Sequence, residues 1–434
     1  MIRSLGTISI RLFGLVFLFV GVNINEPYLI SLRGSGSGAA ALFISSIVVL
    51  IFLIKRGCWN GRGIEGRLPI LLWCLPSLSM LYAHTLFEAR KRNVLQTDVV
   101  RAHTLGQHFV VGYSSLDEVV PLAEKGLIAG VYIARHNIAG RTAEALKSEI
   151  AELQERRRIA GLPPLIVAAD QEGGIVSHLS PPLTALPSLS TLADLPPDIR
   201  AKKAEDFGHA HGQELATLGV NQDFAPILDL RPEAGRNRFD FNTLINQRAI
   251  SDDPATVADV ALGYVRGLDV FNVGATVKHF PGLGRVRTDT HHFSADLDTP
   301  LAVLEASDWR PFRDVLAGSK AQLMIGHVTL TAVDPDRPAS HSKRVVSGII
   351  RQKWNYQGVI ITDDLVMGAI YNHNICTAVV ESLNASVDLL LVAFDGSQFY
   401  RIFACASEAF GDGKLDMAML RDSERRLKQT LPAD

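Results

Sequence analysis

The sequence predicts a (β/α)8 barrel preceded by an α-helical transmembrane segment. Three observations predict it: short β-rich runs alternating with helical stretches from about residue 105, polar residues closing those runs in register, and apolar runs gathered ahead of Asp98. The runs are Phe109 to Val111, Ala129 to Ile133, Leu165 to Ala169, Val220 to Phe224, Gly274 to Val277, Leu323 to Ile325, Val359 to Ile361 and Asp388 to Val392. Amphipathic stretches such as Ala143 to Arg158 and Ala255 to Leu268 separate them, which is the alternation of a parallel barrel. The expected division is therefore 1-97 as membrane segment and 98-434 as barrel, since 434 residues hold one barrel and an accessory part.

Strand ends carry the second observation. Asp170, Asp223, Lys278 with His279, His327 and Asp363 each close an apolar run. In a barrel the C-terminal strand ends form one mouth, so polar groups in this register converge as a site. Asp223 and Asp229 flank Phe-Ala-Pro and read equally well as organisers of a strand end, and His327 as a satisfied structural histidine. Gly173 and Gly174 read as a tight loop where backbone approaches a ligand.

The apolar N-terminus carries the third. Gly38 to Ile54 and Leu68 to Phe87 are each long enough to span a hydrocarbon core of about 30 Å, which needs roughly 20 helical residues with a lower limit near 17. Leu12 to Ile24 is weaker because Arg11 interrupts it, giving two to three spans in all. Lys55, Arg56, Arg62 and Arg67 against Glu65 place the intervening loop in the cytoplasm, so the third span exits outward. The cluster Arg90, Lys91, Arg92 argues for the opposite sense. The expectation is a multi-pass protein of the inner membrane, held in the lipid bilayer by its N-terminal helices, with the barrel on the outer, periplasmic side.

A net charge of −2, with Lys and Arg interspersed among Asp and Glu, offers no basic field for a nucleic acid. Cys58, Cys74, Cys376 and Cys405 show no metal spacing and read as buried free thiols, with a Cys376 to Cys405 bridge as the alternative. No metal and no cofactor are expected. His291, His292 and Asp289 lie close in sequence but lack a helical metal-binding spacing. Oligomeric state is left open.

Cleaving a glycosidic bond with retention needs a carboxylate near the anomeric carbon and a group that protonates the leaving oxygen and then activates water. Gly358-Val-Ile-Ile-Thr-Asp-Asp-Leu-Val-Met367 delivers two carboxylates at the end of a buried strand, although Asp364 could simply cap the next helix. With Asp170-Gln-Glu-Gly-Gly174, Asn221-Gln-Asp-Phe-Ala-Pro-Ile-Leu-Asp229, Lys278-His-Phe-Pro-Gly282, Asp289-Thr-His291 and Met324-Ile-Gly-His327, the chain resembles family 3 glycoside hydrolases over about residues 105 to 400. The likeness is to their bacterial β-N-acetylglucosaminidase branch, known for recycling peptidoglycan fragments.

The resemblance implies that Asp363 is the nucleophile of a glycosyl-aspartate intermediate, with Asp364 supporting the loop. It implies that His291 is the acid/base, oriented by Asp289. An imidazole with a pKa near 6.5 moves protons close to neutrality, and a carboxylate partner fixes its tautomer. A neutral imidazole repels an anionic acceptor less than a carboxylate does, so phosphorolysis stays open beside hydrolysis. Sugar binding maps by the resemblance onto Asp170, Arg248, Lys278 and His279, with Met367 against the ring or acetamido group. The implied activity is removal of terminal β-linked N-acetylglucosamine from peptidoglycan-type or related glycoconjugates.

Three positions depart from the pattern: Ile175 and His178 stand where Arg is customary, and Leu283 where His is. His178 keeps a place in the expected sugar site, but without a bidentate, permanently charged donor. The alternatives to be weighed are an impaired amino-sugar sensor or binding module and a β-glucosidase-like hydrolase of the same superfamily.

Overall fold

A computed structural model describes residues 2–33, 37–56, 64–232, 243–290 and 292–430. It divides into two units, Met1–Gln96 and Thr97–Asp434.

The first unit is helical, with long helices at Ile2–Asn23, Ser37–Lys55 and Ile64–Leu95. Ser37–Lys55 and Arg67–Leu95 are long and apolar enough to cross a membrane, and Ser9–Asn23 with Pro27–Arg33 qualifies only as a pair bent by 117°. The helix that carries the weaker first run ends at Asn23, and the chain bends after it. Leu12, Phe19, Ile44, Val48, Leu71 and Leu78 point their side chains outward, the reverse of a water-soluble bundle. Polar groups inside the unit find one another: Ser46 and Ser77 share a hydroxyl hydrogen bond of 2.5 Å, and the Trp73 indole donates to the Ile10 carbonyl at 3.1 Å. Arg90, Lys91 and Arg92 lie within the helix Ile64–Leu95. Residues 34–36 and part of the basic loop, with Cys58 and Arg62, lie outside the described residues.

The second unit closes eight parallel strands into a barrel. They are β1 (Phe109–Gly112), β2 (Gly130–Ile133), β3 (Ile166–Ala169), β4 (Gln222–Asp223), β5 (Gly274–Phe280), β6 (Gln322–Ile325), β7 (Ile360–Asp364) and β8 (Leu389–Val392). They pair in sequence order and β8 returns to β1, where Phe109 meets Leu390. Every residue of β1, β2, β3, β6 and β8 is buried, as parallel strands covered on both faces require. The barrel is filled by Val110, Tyr132, Ala168, Phe224, Met324, Ile361 and Leu391, each large apolar side chain contributing about 1.5–3 kcal/mol. Tyr132 stacks on Phe224 with ring centroids 5.8 Å apart.

Helices form where caps and apolar stripes agree. Thr142 accepts from the Ala145 N–H at 3.2 Å to start Ala143–Ile159, and Asp253 accepts from the Thr256 N–H at 2.8 Å to start Pro254–Asp269. Pro254–Asp269 packs closely on Pro197–Leu218 through glycines: a Cβ on Gly208 would stand 2.1 Å from the Tyr264 carbonyl oxygen. Cys376 and Cys405 are joined by a disulfide between Gly368–Asn384 and Phe399–Gly411, which corrects the free-thiol reading for this pair. Their Cα atoms stand 5.1 Å apart, within the reach of a bridge. Cys74 is a free thiol.

Candidate active site

The barrel brings to its C-terminal mouth several residues that stand far apart in sequence. Asp170 follows β3 directly, Lys278 and His279 lie in β5, and Asp363 and Asp364 end β7. Between β3 and the next helix, strands Gln171–Gly173 and Val176–Ser177 pair antiparallel, and Gly173 and Gly174 turn the chain at φ 88° and 65°. That hairpin fixes Glu172 and returns His178 beside Asp170, whose carbonyl takes the His178 N–H at 3.0 Å.

Four charges interlock there. The Lys278 ammonium pairs with Asp170 and with Glu172, the latter at 2.6 Å. Arg248, at the end of the short helix Ile245–Arg248, closes on Glu172 with two hydrogen bonds of 2.6 and 3.0 Å. Burial opposes ionisation of Asp170, but the Lys278 ammonium and the Tyr132 hydroxyl outweigh it and hold the carboxyl far below the usual range. Burial likewise opposes Glu172, and Arg248 and Lys278 bring it down. Against the same desolvation, Asp170 and Glu172 raise Lys278, and Glu172 raises Arg248. All four are therefore charged near neutrality, which suits a site that recognises hydroxyls by strong donors and acceptors. Tyr132, one residue before the end of β2, donates to Asp170 at 2.6 Å and meets His178 Nδ1 at 3.0 Å.

The carboxylate pair on β7 divides. Asp364 is buried and accepts from the backbone N–H groups of Val366, Ala393 and Phe394 at 3.0, 3.0 and 2.8 Å. Burial pushes its pKa up to about 6 against those donors. It ties the β7 loop to the end of β8, the supporting role expected of it. Asp363 is half-buried, and its Oδ1 accepts from the Asp364 N–H at 2.8 Å. Met367 is buried at the N-cap of Gly368–Asn384 and makes no side-chain cap.

Asp289 is buried, and its carbonyl takes the N–H groups of His292 and Phe293 at 3.2 and 3.1 Å. Its loop meets the helix after Met367 where the Ala369 N–H reaches the Thr290 carbonyl at 3.4 Å. His291 lies outside the described residues. Among the described residues, no group of three or more His, Cys, Asp or Glu is placed to hold a metal.

The open alternatives resolve by their partners. Asp229 takes the His279 ring Nδ1 at 2.7 Å and the Leu283 N–H at 2.7 Å, so it organises β5 and the loop after it. Asp223 accepts from the Gln171 N–H at 2.9 Å and the Tyr264 hydroxyl at 2.7 Å, and burial pushes its pKa up to about 8 against them. His327 bonds Ser340 Oγ at 2.8 Å and the Asp364 carbonyl at 3.0 Å, which makes it a satisfied structural histidine. Among the positions that depart from the family's usual motif, Leu283 is buried and Ile175 is exposed.

Sequence reasoning missed Glu172 and Tyr132. Glu172 stands two residues after Asp170, so alternation puts it on the same face, a signal that would have found it. Tyr132 is a lone hydroxyl in an aliphatic run one place before a strand end.

Residues 99–430 match the family described as glycosyl hydrolase family 3 N terminal domain. A β-hexosaminidase of Xanthomonas axonopodis pv. citri is 35% identical over 269 residues, 61% of this chain and 76% of the relative. A β-hexosaminidase of Xylella fastidiosa is 33% identical over 287 residues, 65% of this chain and 81% of the relative. The solved structure of a glycoside hydrolase family 3 β-N-acetylglucosaminidase from a Paenibacillus species superposes with a TM-score of 0.68 at 29% identity, covering 76% of this chain. The chain spans 61% of the length of that Paenibacillus protein. A family 3 glycosyl hydrolase of Mycobacterium smegmatis superposes with a TM-score of 0.68 at 26% identity, over 78% of this chain and 99% of that one.

Proposed function

The chain belongs to glycosyl hydrolase family 3 and is a glycoside hydrolase of the β-N-acetylhexosaminidase kind, and we propose that it removes terminal β-linked N-acetylglucosamine by a retaining double displacement. The observation that carries this reading is the division of the β7 carboxylates. Asp364 is buried and taken up by three backbone donors, while Asp363 is half-buried at the mouth, where its Oδ1 accepts from the Asp364 N–H.

In the first step an Asp363 carboxylate oxygen bonds to the anomeric carbon as the bond from that carbon to the leaving oxygen breaks. The His291 imidazolium, charged through Asp289, gives its proton to the leaving oxygen. In the second step water gives a proton back to His291 and attacks the same carbon, and the bond to Asp363 breaks. Asp170, Lys278, Arg248 and His279 hold the sugar, His178 lies beside them, and Met367 packs against the acetamido side. Glu172 keeps Lys278 and Arg248 charged and in place.

The substrate class is a peptidoglycan-type or related glycoconjugate, met outside the cytoplasm. Residues 98-434 are the catalytic part, and the two apolar helices Ser37–Lys55 and Arg67–Leu95 anchor it in the membrane. The Cys376 to Cys405 bridge supports an outward-facing barrel, because structural disulfides persist where thiols are not kept reduced.

The test is hydrolysis of a chromogenic β-N-acetylglucosaminide by the full chain in detergent, with the first-formed anomer read by NMR. The β-anomer is expected, and α-anomer as first product would overturn the retaining mechanism. Sugar binding without turnover would favour a binding module. A reporter fused to the C-terminus reads the orientation, and a cytoplasmic signal would overturn the outward placement.

A further inference from the structure

One chain of hydrogen bonds at the mouth has a direction that chemistry alone decides. Tyr132 places its hydroxyl between Asp170 Oδ2 at 2.6 Å and His178 Nδ1 at 3.0 Å. A phenol has one proton to give. Asp170 is held ionised against its burial by the paired Lys278 ammonium, so it can only accept, and the Tyr132 proton points to it. Burial and the Asp170 charge raise the Tyr132 pKa well above its ordinary value, so the phenol keeps that proton.

His178 Nδ1 must then bring a proton of its own and donate it to the Tyr132 oxygen. Burial lowers the His178 pKa, Lys278 and Arg135 add to this, and Asp170 and Glu172 oppose it. The ring is neutral near neutrality, and a neutral ring protonated at Nδ1 carries a lone pair at Nε2. That Nε2 makes no hydrogen bond among the described residues, and it is not among their buried, unpartnered polar atoms. It is open to a ligand bound beside Asp170.

We infer that His178 Nε2 is a specificity-determining acceptor for one hydroxyl of the bound amino sugar, with Tyr132 as the positioning residue that fixes its tautomer; this rests on the β-N-acetylhexosaminidase reading. A permanently charged arginine at this place could only donate. A neutral histidine held in this tautomer selects a ligand group that brings its own proton.

Fluorine separates the two polarities, because a carbon-bound fluorine accepts weakly and never donates. The test is calorimetric binding to the full chain in detergent of N-acetylglucosamine and its deoxy and fluoro analogues at each free hydroxyl. At one position both analogues should bind the wild type about 2- to 10-fold more weakly than the parent sugar, the loss of one neutral hydrogen bond. In His178→Ala that loss should vanish. In His178→Arg the fluoro analogue should regain affinity while the deoxy analogue does not. Tyr132→Phe removes the acceptor of Nδ1, so heteronuclear NMR of the imidazole should show the proton shared between the two nitrogens, whereas the wild type shows it on Nδ1.

A fluoro analogue that binds the wild type as tightly as the parent at the affected position would overturn the acceptor assignment. So would losses that persist unchanged in His178→Ala at every position. If no sugar of the series binds the wild type, this inference and the activity reading fall together; binding with a flat comparison overturns this inference alone.

Discussion

At the foot of the barrel, where the strands begin, Asp388 precedes β8 and is fully enclosed, with Arg351 at 2.6 Å, Arg426 at 2.8 Å and the Ile360 N–H at 2.7 Å. At the mouth, Asp170, Glu172, Lys278 and Arg248 are paired at similar distances, but the Asp170 side chain keeps 19% of its surface and Asp363 is half-buried. Both clusters bear the desolvation cost of buried charge. The foot has two cations for one carboxylate, and burial lowers Arg351 despite Asp388. The mouth has two of each, and its cations are raised. A cluster closed by its own contacts locks strands and helices together. One whose carboxylates keep exposed surface can bind.

The largest effect separating these regions is expected from Asp363→Asn, which should lower kcat by about a thousandfold or more and leave the melting temperature near that of the wild type. A folded, active variant would break the assignment of the mouth to chemistry. Asp388→Ala comes next. It leaves Arg351 and Arg426 buried without their shared counter-ion and should remove about 3–5 kcal/mol in urea unfolding, with KM unchanged where the protein is folded. A raised KM with intact stability would reverse the two roles.

Replacing Cys376 and Cys405 by Ser opens a loop of 29 residues and should cost about 2–4 kcal/mol, read as a lower melting temperature with activity per folded molecule retained. The smallest effect is a slope. Asp223 is raised to about 8 by burial, so its folded form binds a proton more tightly than its unfolded form. Its contribution to stability is full below the unfolded pKa of about 4 and declines up to about pH 8, by at most about 1.4 kcal/mol per pH unit. Asp223→Asn should flatten that slope in urea titrations at stepped pH. Asp170 and Glu172, held low, contribute with the opposite sign: their part is present above the unfolded carboxylate range and is lost as pH falls.

The strands were legible because each is a short apolar run bounded by turn residues, and all eight expected runs overlap a strand of the barrel. Val220 to Phe224 contracts to the two residues of β4 because Asn221 spends its side chain on the Val167 N–H at 2.8 Å and the Leu165 carbonyl at 3.0 Å. The polar strand ends were legible as well, since each interrupts an apolar run where a buried chain would not carry charge. Partners were not legible. Nothing local tells that Glu172 meets Arg248 across 76 residues, or that Tyr264 reaches Asp223 from a helix.

The Cys376 to Cys405 bridge shows the same limit, because the sequence carries the two thiols but not the 5.1 Å between their Cα atoms. The sequence by itself determined the barrel, the apolar helices ahead of it and the set of residue types at the strand ends, because periodicity and burial are local properties of the chain. Only the tertiary structure decided which carboxylate of Asp363 and Asp364 is consumed by backbone donors, and which nitrogen of His178 stays open. Those outcomes depend on hydrogen-bond partners that the closure of the barrel brings together from different strands.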